Sequence, residues 1–428
     1  MRRFWVTIIL MGLAIAGTAY LSKQGTAQIP AGGLPGAKAV IDASRYPSLQ
    51  AAIDAVPLEG GVIKLPPGTF EILQPLVVHH HDLLIEGSGT ATHIKNVNTD
   101  GKPALVLRPK EPAKGQKLEP QWRIMLSNFR ITGNEKSGHG IEAVRVNELL
   151  VQDVSVSYHG GDGLRLDQCY EDPRICNSLF TYNKQTGVNL LGCHDIVVSG
   201  NQFEENMDAL RCTDGFNLCM TGNCVDDHLG NGVVIENCYG SVVSGNMIEE
   251  CKGTAIILDR DCYGITLSSN VIAHEETDGI DLRDAHGCAV SANTFTIVKK
   301  AALRIGPKSG RITVTGNNFS NSYIGDGKVK RGTEDIDAGG IVLKDTNEIN
   351  ISGNVFSGVK PADTAVDVST NCGAIVLTAN LFKDCNYAAR PDGAAHFGPN
   401  EGVRSRIQGY VVNNNSVIDA DWKPPRSK

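Results

Sequence analysis

The sequence predicts an all-β fold, a parallel β-helix in which the chain winds into a stack of coils built from short strands. Three observations carry this expectation. A short phrase returns along the chain: Ser199-Gly200-Asn201, Thr221-Gly222-Asn223, Ser244-Gly245-Asn246, Ser268-Ser269-Asn270 and Ser291-Ala292-Asn293. Counted from Asn177, its asparagines are spaced by 24, 22, 23, 24 and 23 residues, and a fixed period of roughly 20 to 50 residues marks stacked repeats. A second phrase of the form Gly-Ile-x-Leu recurs between them, as in Gly163-Leu164-Arg165-Leu166 and Gly279-Ile280-Asp281-Leu282. The 47 glycines and the low aromatic content of 6% suit many tight turns. About 23 residues hold three short strands and three turns, which is one coil of such a helix.

Taken in order, the chain opens on Met1-Arg2-Arg3, an apolar run from Phe4 to Leu21, and small residues at Gly25-Thr26-Ala27. Residues 1–27 therefore read as a signal peptide or an uncleaved signal anchor. The bulk of the chain is expected to be secreted or periplasmic, touching a membrane only through that segment. Residues 28–40 read as a Gly/Pro-rich linker and 41–428 as a single β-helix domain. Within it a cap region (41–95) precedes coils from about 96 to 428. Leu49, Ala52, Ile53 and Val56 have helical spacing, and Ser48 is a candidate N-cap. Gly60 to Phe70 reads as strand, turn, strand, and Leu83 to Gly89 as another strand and turn.

The segments Ser48-Leu49-Gln50-Ala51-Ala52-Ile53-Asp54-Ala55-Val56-Pro57, Gly60 to Phe70 and Leu83 to Gly89 resemble the start of pectate-lyase-superfamily (pectin-lyase-like) proteins. That resemblance implies a right-handed parallel β-helix whose first coil is covered by a short helix. A cover makes physical sense, because an open end coil exposes core side chains and unpaired strand edges. It also implies a carbohydrate-active protein. Glu276-Thr277-Asp278-Gly279-Ile280-Asp281 is similar to the Asn-Thr-Asp-Gly segment of polygalacturonases. The next coil, Lys300-Ala301-Ala302-Leu303, lacks that family's paired aspartates, and no Gly-His-Gly or Arg-Ile-Lys follows where that family would place them. The Asp-Pro-His motif of alginate epimerases is absent too.

The asparagine ladder extends back to Asn128 and Asp153 and forward through Asn317, Asn354, Asn380 and Asn415. Wider gaps imply insertions at Ser320–Gly339 and Asp384–Ser405. Two residues after each asparagine lies an apolar residue, from Leu179 and Phe203 to Phe382, which predicts an inward stack. Cys169, Cys193, Cys238, Cys262 and Cys372 lie eight residues before ladder positions, with Gly215, Ala285 and Ser309 filling the same column. Small residues alternating with cysteine suggest a row of buried free thiols; disulfides between adjacent coils, such as Cys169 to Cys193, are the alternative.

With 40 basic and 47 acidic residues and a net charge of −7, nothing points to nucleic acid as a partner. Equivalent residues of stacked coils lie about 4.8 Å apart, so columns become surface stripes. The richest patch joins Tyr158, His159, Asp162, Arg165, Asp167, Tyr182, Lys184, Asn189, Asp208, Arg211 and His228, with Asp281 and Arg283 further along. Such a mixture suits a polysaccharide laid along the coils. Exterior strand positions are polar in any case, and Asp before Gly is a common turn residue, so each residue alone also has a structural reading.

Three activities compete for this patch. Inverting hydrolysis needs two carboxyls about 6.5–9.5 Å apart; Asp162 and Asp208, two coils apart, lie near the upper edge. Lyase or epimerase chemistry on a uronate needs a base and cations for the developing charge. Arg165 and Arg211 fit the cation role, and Lys184, Tyr182 or His159 that of base. The third reading is a non-catalytic glycan- or surface-binding protein. The clustered cations favour the lyase or epimerase, with Lys184, Arg165, Arg211, Asp162, Asp208 and His159 as the catalytic set and Asp167, Tyr158, Tyr182, Asn189, His228, Asp281 and Arg283 binding substrate. No cofactor is assigned. Asp226-Asp227 and Glu204-Glu205 are candidates to hold a cation, and Ca²⁺ favours such oxygen ligands. His79-His80-His81 is a weaker metal tract, since alternation points neighbours to opposite faces. A monomer is expected.

Overall fold

The computed structural model describes residues 34–321, 338–360 and 364–385, together with strand residues 388–389, 395–396 and 411–418. The signal segment and the core of the first insertion lie outside the described residues, as does most of the second. Residues Lys38–Lys428 form one compact unit and Met1–Ala37 a separate one. No helix among the described residues is long and apolar enough to cross a membrane.

The fold is a right-handed parallel β-solenoid of about 14 turns with almost no helix. One face is a sheet of twelve strands, from Leu76–Val78 to Val366–Val368, stacked in chain order. The remaining strands of the coils join into a second, 29-stranded sheet that wraps the other faces. Every pairing in these two sheets is parallel, because each coil returns in the same sense; among the described residues only Ala388–Ala389 and Ala395–His396 pair antiparallel. The first strand, Ala39–Asp42, starts within the stretch read as linker. The helix Leu49–Asp54 follows, with the Ser48 side chain accepting the Ala51 N–H at 3.1 Å and Leu49, Ala52 and Ile53 buried.

Strand register turns periodicity into columns. Phe203, Val225 and Ile248 align, as do Phe295, Phe319, Phe356 and Phe382, whose rings stack at 4.9, 4.7 and 4.7 Å. Beside them runs the asparagine ladder. Asn246 donates both its backbone N–H and its Nδ2 to Asn270 Oδ1 (3.0 and 3.0 Å), while its Nδ2 also reaches the Met220 carbonyl at 3.2 Å. The same pattern repeats from Asn201 to Asn415. A buried amide whose donors and acceptor are all used costs little to bury.

The ladder differs from the sequence reading at its start. Cys176 pairs with Ser199, so Asn177 aligns with Gly200 and Ser178 with Asn201. Asn128 and Asp153, within strands, and Asn177, at a bend, have left-handed φ of 60°, 54° and 50°, in the column where Gly200 has 66°. Asparagine and aspartate tolerate this left-handed conformation better than other side chains, which is why they resemble ladder members in sequence. The ladder ends at Ser178, whose N–H donates to Asn201 Oδ1 at 3.0 Å. Leu179 is accordingly not in the inward stack: it is 48% exposed, and Phe180 pairs with Phe203 instead.

All twelve cysteines are free, and Cys169, Cys193, Cys238, Cys262 and Cys372 are buried, as the thiol reading expects.

Candidate functional site

The twelve-stranded face carries Arg165, Asn189 and Arg211 on three consecutive coils in direct register. They are spatial neighbours despite their sequence distance. The turn residues before these strands serve the backbone first. Asp162 Oδ1 accepts the Thr186 N–H at 3.0 Å, Asp208 Oδ1 the Asn231 N–H at 2.7 Å, and Asp278 Oδ1 the Ala301 N–H at 2.9 Å. Each carboxylate thus ties one coil to the next. Their second oxygens face outward: Asp162 Oδ2 takes Asn189 Nδ2 at 3.0 Å, and Asp208 Oδ2 takes Arg211 Nη1 at 2.9 Å.

The guanidiniums are held by acids. Arg211 Nη2 also reaches Glu236 at 2.8 Å. Burial works against the Arg211 charge, but the Asp208 and Glu236 carboxylates hold it above its usual range. Arg165 sits more loosely, 3.8 Å from both Asp162 and Asp167. Asp281 and Arg283, joined at 2.8 Å, lie beyond the apolar Val234 and Ile257 and do not join this group. Arg304, opposite Asp281, grips Asp278 with two bonds of 3.0 Å.

A second group lies at the corner beside this face. Tyr158 and Tyr182 stack with centroids 5.0 Å apart and planes 5° from parallel. Both have left-handed φ (61° and 59°), and Glu205, Asp227, Glu250, His274 and Ile297 continue the same conformation down the corner. Gly133 precedes Tyr158 in this column, and Tyr158 is 55% exposed. The Glu204 carboxylate beside Tyr182 pushes its phenol up, which makes the phenolate that could act as a base scarcer. Lys184 pairs with Glu135 at 2.8 Å. A cavity of about 450 Å³ is lined here by Glu135, Tyr158, Tyr182, Lys184, Glu205 and Leu229. The next, of about 510 Å³, has Asp227, Glu250, Lys252, His274, Glu276 and Lys299. A third, of about 330 Å³, shares Lys299 and runs past Arg304 to Val342 and Thr364. The three follow one another along the helix axis.

Sequence reasoning missed most of this corner. Glu135, Leu229, Lys252, Glu276 and Lys299 stood outside the candidate set. The signal was available: from Tyr182 onward, the residue two after each left-handed corner position reads Lys184, Met207, Leu229, Lys252, Glu276, Lys299.

His159 and His228 need correcting. Both are fully buried, in an interior column with Asn183, Asn206, Cys251 and Glu275, and cannot touch a polymer on the outside. The His159 N–H donates to Asn183 Oδ1 at 3.1 Å, and His228 Nδ1 lies 3.2 Å from the Asn206 carbonyl. Burial pushes both imidazoles down to about 4. Position alone decides this: one residue earlier in each coil faces solvent, as Tyr158 does.

The histidine tract does not converge either, with His79 at the Arg108 carbonyl and His81 at the Trp122 N–H. Among the described residues Asp226, Asp227 and Glu250 bring three carboxylates within 4.8 Å of one another. Crowding by burial and by neighbouring acids raises Asp226 and Glu250 above the usual carboxylate range.

The family model for "Periplasmic copper-binding protein (NosD)" matches residues 177–335, less than half of the chain. No curated protein matches the chain by sequence. Among solved structures, the pre-mature bacteriophage phi29 gene product 12 aligns with a TM-score of 0.63 at 12% identity, covering 85% of this chain and 54% of its own. This chain thus spans about half of that protein. The tailspike protein of E. coli bacteriophage HK620, solved in complex with a pentasaccharide, gives 0.55 at 13%, covering 85% and 76%. A Yersinia enterocolitica family 28 exopolygalacturonase gives 0.52 at 10%, covering 91% and 79%. At these identities the likeness establishes the fold.

The three carboxylates are not the donors copper prefers, although His274 Nδ1 lies 3.8 Å from Glu250 beside them. Copper favours imidazole, thiolate and thioether ligands, whereas Asp226, Asp227 and Glu250 offer oxygen alone, which suits hard cations such as Ca²⁺.

Proposed function

We propose that the protein holds an extended polysaccharide along the corner, over the three cavities between Glu135 and Thr364. The observation that carries this reading is their axial continuity: a linear polymer matches a groove that repeats once per coil. The exposed Tyr158 ring, stacked on Tyr182, supplies a flat apolar platform for a sugar ring, and the Lys184–Glu135 pair and Glu205 supply hydroxyl partners. The family 28 exopolygalacturonase and the pentasaccharide-bound tailspike, which share the fold, support a glycan as ligand.

For chemistry, lyase or epimerase action on a uronate polymer remains the leading reading, supported by the direct register of Arg165, Asn189 and Arg211. Arg165, the loosely paired cation, is the better carboxylate partner, and Lys184 is the proton-accepting candidate once Glu135 releases it. Hydrolysis through Asp162 and Asp208 has less support, because one oxygen of each is committed to a backbone N–H. Binding without turnover is the alternative class.

Incubation with alginate, pectate and neutral glycans separates these readings. Ultraviolet absorbance of an unsaturated uronate marks a lyase, and reducing ends without it mark a hydrolase. Changed uronate stereochemistry without cleavage marks an epimerase, and retained binding without product marks a binding protein. Tyr158→Ala is expected to weaken binding about tenfold, roughly 1.4 kcal/mol. Unchanged affinity would remove the corner from the site.

A further inference from the structure

Two buried thiols meet beneath the Arg211 face. Cys212 is the inward-facing neighbour of Arg211 on strand Leu210–Thr213, and Cys238 follows the next strand of that sheet, Val233–Glu236. Their Sγ atoms lie 3.7 Å apart, with the residues 0% and 1% exposed. Gly215 makes the room: a Cβ there would stand 2.8 Å from Cys212 Sγ and 3.7 Å from Cys238 Sγ. The Gly215 N–H also donates to Cys238 Sγ at 3.3 Å. The Cys212 thiol and this N–H hold Cys238 below the usual thiol range, while the Cys238 sulfur and burial push Cys212 well above it.

We infer that Cys212 and Cys238 form a redox-active pair that closes to a disulfide, stapling the Arg211 strand to the following coil. In the closing step both S–H bonds break and one S–S bond forms. The two protons and two electrons pass to a small disulfide or azo oxidant, which is thereby reduced to the dithiol or hydrazine. The bond sits under the Arg211–Glu236 ion pair and fixes the spacing of the two coils that hold it.

The folded full-length chain is treated with diamide, alkylated in denaturant and mapped as non-reduced peptides. Two of the twelve thiols should escape alkylation, a Cys212–Cys238 linked peptide should appear, and the melting temperature should rise and return with dithiothreitol. Cys169→Ser should leave the bond unaffected, whereas Cys212→Ser and Cys238→Ser should abolish it. Cys169 and Cys193, which also approach one another, serve as the built-in comparison. A Cys169–Cys193 bond instead, or twelve thiols still open to alkylation, overturns the inference. The peptide map of the unaltered chain decides even where a variant fails to fold.

Discussion

Asn270 Oδ1 accepts two hydrogen bonds from Asn246, and its own amide reaches Val243 and Asn293. Asn270→Ala leaves the Asn246 donors buried and unpaired, at about 1–3 kcal/mol for each unsatisfied group; urea unfolding should show a loss in that range. The interior column predicts pH dependence. His159 and His228 titrate near about 4 in the fold against about 6.5 when unfolded. The fold favours their neutral forms, so this stability is complete above about pH 6.5 and is lost as pH falls towards 4. His228→Asn, which repeats the neighbouring Asn206, should flatten the acid limb of a stability-versus-pH curve. Glu275 acts in the opposite direction. Neither of its carboxyl oxygens meets a hydrogen-bond partner, and burial holds it protonated well above the usual range. The unfolded chain releases that proton above about 4.5, so stability falls as pH rises. Glu275→Gln should stabilise at pH 7, by up to about 3 kcal/mol, and have little effect near pH 4.

The element that departs from its sequence reading is the strand Leu179–Thr181. Aligning by asparagine puts Leu179 inside, but the pairing with Gln202–Glu204 turns it out and Phe180 in. A slip of one residue exchanges the faces of a whole strand, and sequence offers two asparagine columns side by side with no label to separate them. Paired substitutions test this register. Phe319→Ala, between Phe295 and Phe356, should cost about 3–5 kcal/mol, while Leu179→Ala should stay within about 0.5 kcal/mol. Comparable losses in thermal or chemical unfolding would contradict the alignment. The same one-residue ambiguity put His159 and His228 on the outside, since each stands next to a corner residue that does face solvent.

At the scale of the molecule, the corner cavities make a length prediction. From Glu135 to Lys299 the corner spans seven coil steps of about 4.8 Å, roughly 34 Å. Calorimetric affinity for a matched oligosaccharide series should therefore rise with chain length until about that span is filled, then level off; a plateau at a disaccharide would argue for a single local subsite. The sequence by itself determined the solenoid, its period, its inward apolar and thiol columns, and the adjacency of Arg165, Asn189 and Arg211. These follow from a repeat, because a fixed period places equivalent residues side by side whatever their chemistry. Only the tertiary structure decided which of two neighbouring columns faces in, and which carboxylates are spent on the backbone of the next coil. It also decided that the open cavities lie at the corner beside the arginine face. Those outcomes depend on strand register to a single residue and on side-chain partners more than twenty residues away. Periodicity fixes position along the axis but not rotation about it.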